Sequence, residues 1–309
     1  MYTALGIVAV LLWSSTMAFS RSLTEQLGAM TAGACIYLVS GGLGCAYLLA
    51  RGKLGQVRRL PLRYLFGCGG LTVAYMALIY TAIGLAPTRR QVIGVGIINY
   101  LWPGLTVIFS VPLLKKRAGP LLAPGALAFF VGVLLASSQG GSLSPTEFLR
   151  DLRNGEAPYL FALAAAVCWA LYSNLSRRWG GASEGGAVPV FLLAAGVLLF
   201  LMRPFFHEQQ HWTARTLWEL GYMALLPALL AYGFWDSCMR RGNLVLAASV
   251  AYLAPVLSTT MTSLYLHVTP SANLWLACAL VVAGAVICKL SVTDPPAEKT
   301  GNAEPGNEA

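Results

Sequence analysis

Three short stripes hold the side chains best suited to gripping a small polar molecule. Asn99, Trp102, Pro103 and Thr106 fall at helical spacing on one face. Proline has no N–H and its ring crowds the carbonyl four residues back, so Pro103 frees the carbonyl of Asn99. Such a carbonyl at membrane depth must line a watery cavity or meet a polar partner. The face then offers an amide, an indole N–H, a bare carbonyl and a hydroxyl, a set matched to the charged groups of an amino acid. A second stripe carries Trp13, Thr16, Met17 and Ser20, and a third carries Trp169, Tyr172, Ser173 and Ser176. Stripes that mix indoles with hydroxyls make poor lipid-facing surfaces. Tyr75 and Tyr80, with Tyr232 and Trp235, extend an aromatic wall. Such rings suit an apolar or aromatic side chain and hold an ammonium over their faces. The plainer alternative is that these residues pack kinked helices against one another.

Other reactive patterns are weaker. His207-Glu208-Gln209-Gln210-His211 reads as HExxH, in which two histidines on one helical face bind zinc and the glutamate is general base. Pro204 precedes it, no third histidine follows at metallopeptidase spacing, and nothing specifies Glu219 as a further ligand. A solvated external loop is the expected state, with a zinc peptidase as the alternative from another functional class. Asp236 is the one acid well within an apolar run, and an intramembrane carboxylate is a functional suspect. Arg240, four residues on, and Arg241 beside it point instead to a local ion pair. With no carboxylate, Lys or His near any expected midplane, uniport or exchange is simpler than a built-in proton or sodium relay. The seven cysteines lie within apolar runs without close ligand spacing, so they are small buried apolar side chains. No catalytic residue, cofactor or metal is expected.

These stripes need elements to hold them. Charged residues make up 11% of the chain and hydrophobic ones 57%, with a mean hydropathy of +0.66. That leaves too little polar surface for a water-soluble globule. The expectation is an all-α polytopic membrane protein, with the bilayer as its surroundings. The net charge of +9 lies between apolar runs rather than in a patch interleaved with aromatics, so no nucleic-acid partner is expected. Ten spans are expected near 3–20, 30–50, 64–85, 90–113, 119–138, 157–176, 187–203, 219–239, 244–266 and 273–291. The first run lacks a basic leader and has a counterpart near residue 169, which favours a retained helix over a signal peptide.

The chain also repeats itself. At a constant offset of 152, Tyr80 pairs with Tyr232, Arg89 with Arg241, Tyr100 with Tyr252, Pro103 with Pro255 and Gly132 with Gly284. At 156, Trp13, Ser20 and Arg21 meet Trp169, Ser176 and Arg177. The expected organisation is a first five-helix repeat with an external loop (1–156), a second repeat (157–293) and a disordered cytoplasmic tail (294–309). Five is odd, so the second repeat is inverted, around a central cavity that holds the substrate near the midplane. With the N-terminus inside, 14 of the 21 basic residues lie inside and 7 outside, which favours cytoplasmic termini. Glycine clusters such as Gly41-Gly42-Leu43-Gly44 mark close helix seams, sliding or static.

The tandem repeat, the paired prolines and the basic Lys115-Lys116-Arg117 resemble the drug/metabolite transporter superfamily, the ten-helix EamA-type proteins. The Asn99-Tyr100-Leu101-Trp102-Pro103 string and Trp169 resemble its subgroup of YddG-type aromatic amino-acid exporters of bacterial inner membranes. The resemblance covers residues 1–292. It implies a basket of ten helices and export of aromatic and other neutral amino acids by alternating access. It also implies Tyr80, Tyr100, Trp102, Pro103 and Trp169 as cavity residues. Lys115-Lys116-Arg117 departs from a Glu-Arg pair frequent in the superfamily. The full candidate set is Trp13, Thr16, Met17, Tyr80, Asn99, Tyr100, Trp102, Pro103, Trp169, Tyr172, Ser173 and Tyr252. A monomer is compatible with this reading. Efflux of cationic aromatic drugs is the rival transport function, whereas a sugar-phosphate carrier would need basic residues at depth.

Overall fold

The computed structural model describes residues 2–137, 157–180, 187–242 and 251–293. The external loop 139–156, the start of the expected ninth span and the tail 294–309 lie outside them. Nearly all of the described chain is helical. Among the described residues seven helices are long and apolar enough to cross a membrane, or eight if one bent pair is a single span. The bent pair is α1 (Tyr2–Trp13) and α2 (Thr16–Leu27), at 41° to one another. The others are α3 (Ala29–Ala50), α4 (Arg63–Leu85), α5 (Arg89–Asn99) continued by α6 (Trp102–Leu114), α8 (Ala157–Trp179), α9 (Val188–Met202), α10 (Ala214–Met239) and α12 (Ala272–Ser291). Where the fifth and ninth spans are expected stand α7 (Leu122–Ser137) and α11 (Ala254–Leu266).

Two boundaries move, each for a local reason. The first span runs to Leu27 rather than residue 20, because Ser14-Ser15 breaks the helix and its direction changes. Ser14 Oγ donates to the Val10 carbonyl (3.0 Å) and Ser15 Oγ to that of Leu12 (2.8 Å), local bonds of the kind that bend helices. The eighth span begins at Ala214 rather than 219, where Thr213 and Thr216 form a capping box. That places Glu219 inside a helix. Pro227 sits in a π-helical stretch of α10 (Ala224–Leu230), which loosens the ladder around it.

The proline repeat has a structural counterpart. Tyr100-Leu101 interrupts the helix before α6, Tyr252-Leu253 precede α11 in the same way, and Pro103 and Pro255 stand in the first turn that follows. Both helices end in a left-handed residue, Lys115 (φ 55°) and His267 (φ 54°), again 152 apart.

Helix packing follows small residues. α3 lies along α9, where an added Cβ at Gly41 would stand 2.3 Å from the Leu193 nitrogen and one at Gly196 2.6 Å from that of Leu38. α7 lies along α12, α4 and α6 pack on α8, and α1 and α2 pack on α10 and α11. The outer surface carries Leu49, Phe66, Leu264 and Leu290, each more than 60% exposed, as a face turned to lipid requires. Two residues of strand on each side, β1 (Arg117–Ala118) and β2 (Val292–Thr293), pair antiparallel and tie the α6–α7 link to the end of α12.

Candidate functional site

The helices bring the indoles of all three stripes together. Trp169 of α8 is the hub: its ring centroid lies 5.6 Å from Trp13, 5.0 Å from Tyr75, 6.4 Å from Trp102, 4.8 Å from Tyr172 and 5.4 Å from Tyr232. Trp235 of α10 closes the ring, 5.5 Å from Trp13 and 5.3 Å from Trp102. Mostly edge-to-face and tilted, these contacts are the favoured arrangement for aromatic quadrupoles.

The helix breaks supply polar edges to this ring. The kink at Ser14-Ser15 exposes the Trp13 carbonyl, which accepts from Thr16 Oγ (2.7 Å) and Tyr100 OH (3.0 Å). The Trp13 indole N–H donates to the Pro227 carbonyl (3.0 Å), within the π-helical stretch. The Asn99 amide donates to Tyr75 OH (3.4 Å), while its Oδ1 is buried without a partner. Around these groups lies a chamber of about 50 Å³, walled by Trp13, Thr16, Met17, Tyr80, Asn99, Tyr100, Trp102, Trp169 and Tyr232 among others. Among the described residues that line it none is charged. The volume suits a water or two, far from the several hundred Å³ of a filled ligand pocket.

Of the sequence candidates, Trp13, Thr16, Met17, Tyr80, Asn99, Tyr100, Trp102 and Trp169 therefore meet at one chamber. Tyr172 packs on Trp169 from behind. Pro103 and Ser173 line a second cavity of about 60 Å³ on the far side of Trp102, together with Thr106 and Trp235. Asn99 and Thr106 thus share a helical face in sequence but open onto different cavities, because the chain breaks between them at Tyr100-Leu101. Tyr252 lines neither, and its buried hydroxyl has no partner.

Sequence spacing missed the polar network at one end of the bundle. Glu219, fully buried, accepts from Ser22 Oγ (2.9 Å), Gln26 Nε2 (3.1 Å), Arg215 Nε (2.6 Å) and Tyr265 OH (2.5 Å). Beside it, Arg21 and Arg89 converge on Glu25 at 2.8 and 2.6 Å, and Arg89 also donates to the Leu266 carbonyl (3.0 Å). Phe19 fills the space between, 4.7 Å from Tyr222 and 4.5 Å from Tyr265. α2, α5, α10 and α11 are bound to each other here. Its local traces in the sequence are the i, i+4 pairs Arg21–Glu25 and Arg215–Glu219.

The HExxH segment is not helical, so its histidines do not share a helix face. Glu208 instead caps α3, accepting from the backbone N–H groups of Met30 (2.7 Å) and Thr31 (2.9 Å) and from Thr31 Oγ1 (2.7 Å). Gly28, at φ 84°, admits it: a Cβ there would lie 2.3 Å from the Glu208 carboxyl carbon. The segment is a solvated loop, as expected, with His207, Gln209, Gln210 and His211 exposed, tied to the fold through Glu208. Among the described residues no three His, Cys, Asp or Glu side chains are grouped to hold a metal ion. Asp236 is buried and accepts from Tyr64 OH (3.4 Å), while the Arg240 side chain lies outside the described residues.

Known proteins share this plan over nearly the whole chain. The EamA-like transporter family matches residues 157–289. The chain is 36% identical over 292 residues to an aromatic amino acid exporter, YddG, of Ancylobacter novellus (strain ATCC 8093 / DSM 506 / JCM 20403 / CCM 1077 / IAM 12100 / NBRC 12443 / NCIMB 10456), covering 93% of this chain and 96% of that one. To the exporter of the same name in Salmonella typhimurium (strain 14028s / SGSC 2262) it is 31% identical, covering 94% and 97%. A crystal structure 33% identical in sequence superposes with a TM-score of 0.66 over 94% of this chain and 96% of that one. With relatives this similar along their full length and a bundle of apolar spanning helices, the chain is a multi-pass membrane protein that belongs to the EamA-like transporter family.

Proposed function

We propose that the protein exports aromatic and other neutral amino acids across a bacterial inner membrane by alternating access, as a uniporter or exchanger. The observation that carries the reading is the uncharged chamber of indoles and tyrosines where both halves of the chain meet. Its relatives are named as exporters of aromatic amino acids. The rings take the side chain, and the buried, unpartnered Asn99 Oδ1 takes the ammonium. The Trp102 indole and the chamber's tyrosine hydroxyls take the carboxylate. Because the Asn99 amide nitrogen already serves Tyr75, its oxygen is the end turned to the ligand. A chamber without a carboxylate favours a zwitterion over the cationic drugs of the rival reading. At about 50 Å³ the chamber must widen by ring and helix movement to admit tryptophan.

Ten spans in two inverted repeats, 1–156 and 157–293, fit the same reading. Exchanging first-half for second-half helices maps each principal packing pair onto another: α3 on α9 and α7 on α12 map onto themselves, and α4 on α8 maps onto α10 on α1. The family match begins at residue 157, where the second repeat is placed. The basic end of the bundle faces the cytoplasm in this arrangement, with both termini.

Counterflow in proteoliposomes tests it. Vesicles loaded with unlabelled tryptophan should transiently accumulate labelled tryptophan without an ion gradient, competed by phenylalanine and methionine but not by a sugar phosphate. Accumulation only under a proton gradient, and its loss in Asp236→Asn, would replace uniport with proton coupling.

A further inference from the structure

Three helices depart from regular α geometry beside the chamber, and one short segment ties the departures together. α1 and α2 break at Ser14-Ser15, α5 and α6 break at Tyr100-Leu101, and α10 loosens into its π-helical stretch. Ala231, just past that stretch, donates to the Leu226 carbonyl five residues back. The next carbonyl along, that of Pro227, receives the Trp13 indole N–H at 3.0 Å. Two residues beyond Trp13, Ser15 Oγ lies 2.8 Å from Tyr222 OH, a second bond from the α1–α2 break to α10. Because the single hydroxyl proton of Ser15 goes to the Leu12 carbonyl, Tyr222 is the donor in that bond. A third bond, Tyr100 OH to the Trp13 carbonyl (3.0 Å), reaches the α5–α6 break.

The segment reaches two ways. Trp13 walls the chamber, whereas neither Ser15 nor Tyr222 lines it. Tyr222 belongs to the sealed end: its ring lies 4.7 Å from Phe19 and 5.9 Å from Trp218, and Phe19 touches Tyr265, a donor to Glu219. Only Ser14 stands between the residue that walls the chamber and the residue bonded to the seal. The need of buried carbonyls for donors explains the bonds to Trp13 and Pro227. It does not explain the Tyr222–Ser15 bond, which joins two side-chain hydroxyls and satisfies no backbone group.

We propose, resting on the exporter reading, that this segment is the latch by which a ligand in the chamber releases the sealed end, with Ser15 and Tyr222 as its positioning residues. The chamber must widen to admit tryptophan, and the ligand's ring takes the place of the Trp13 indole, drawing its N–H off the Pro227 carbonyl. The helix is already broken at Ser14-Ser15, so the displacement turns Ser15 away from Tyr222. The Tyr222 ring then parts from Phe19, and the end opens. Bonds made only in the shut form favour that form, and a ligand that competes for one of them shifts the balance toward the open one. An empty chamber therefore keeps the end closed.

Tyr222→Phe tests the latch, because it deletes one hydroxyl and leaves the ring on Phe19 and Trp218; Ser15→Ala removes the other side of the same bond. Labelled-tryptophan binding, tryptophan counterflow and hydrogen–deuterium exchange over residues 21–27 and 214–222 are measured on the reconstituted protein. In the wild type, tryptophan should speed exchange in both segments. In either variant exchange there should be fast without ligand and rise no further. Tryptophan should bind several-fold more tightly, since it no longer has to break the bond, while the maximal counterflow rate falls because the end recloses poorly. The combined variant should add nothing to the larger single effect. Weaker or unchanged binding in both variants overturns the latch, as does exchange that still rises with tryptophan. The native protein carries an arm that no folding defect can blur: wild-type counterflow with exchange indifferent to tryptophan overturns the latch and leaves the exporter reading standing. A wild-type protein that neither binds nor moves any amino acid overturns that reading, and the latch with it.

Discussion

At one end of the bundle Glu25, Glu208 and Glu219 are each matched to donors, and between them they hold α2, α3, α5, α10 and α11. At the other end Lys116, Arg177 and Lys289 line the second cavity, and among the described residues no carboxylate is in its wall. Links described there include the β1–β2 pair, Ser291 Oγ to the Gly119 carbonyl (2.8 Å) and Arg178 to the Leu113 carbonyl (3.3 Å). In the proposed alternating-access cycle one end is sealed while the other admits ligand, and the two chemistries fit that division. Paired charges and the Phe19 cluster close the first end.

The aromatic ring between the ends carries the largest expected effect. Trp102 walls both cavities, and Trp169 touches five other rings. Buried indole anchors are worth roughly 2 kcal/mol or more each. Trp102→Ala with Trp169→Ala should therefore lower counterflow by about a hundredfold or more while the protein still purifies as a folded monodisperse species. Wild-type flux in the double variant would remove the ring from the transport path and leave the two ends merely structural.

Next comes Glu219, the buried member of the sealed end. Glu219→Leu leaves Ser22, Gln26 and Tyr265 without their shared acceptor and Arg215 without its partner. Removing one side of such a network costs about 2–4 kcal/mol. The thermal unfolding midpoint in detergent should drop. In a background cleared of native cysteines, a reporter at Met17→Cys should become more reactive to an impermeant thiol reagent from that end alone. An unchanged midpoint and unchanged labelling would show that Phe19 and its neighbours seal this end without the carboxylate.

What could be read from sequence divides along the same line. The apolar helices, the helix breaks before Pro103 and Pro255 and the stripes of Trp13, Trp102 and Trp169 were legible, because each is a local pattern of hydropathy or helical spacing. The sealed end was not. The partners of Glu219 lie 193 and 197 residues away at Gln26 and Ser22, a distance no periodicity spans. The role of Glu208 was hidden for the same reason: the sequence reading rightly set the zinc motif aside, but could not show that Glu208 caps a helix 177 residues earlier in the chain. Tyr252 marks the opposite limit, since repeat symmetry pairs it with Tyr100 while only Tyr100 reaches the chamber.

Glu25 offers the smallest effect and the finest test of how the sealed end works. Its carboxylate is gripped by Arg21 and, from two nitrogens, by Arg89, but both it and Arg89 retain solvent contact, at 28% and 45% exposure. Exposed pairs of this kind contribute about 0.5–1 kcal/mol and are screened by salt, whereas a buried carboxylate is not. Glu25→Gln should therefore lower the unfolding midpoint slightly at low ionic strength and not at all in high salt. Glu219→Leu should cost the same in both. If salt erased the Glu219 effect as well, water would have to reach that carboxylate, and the end held shut by charge would already be open.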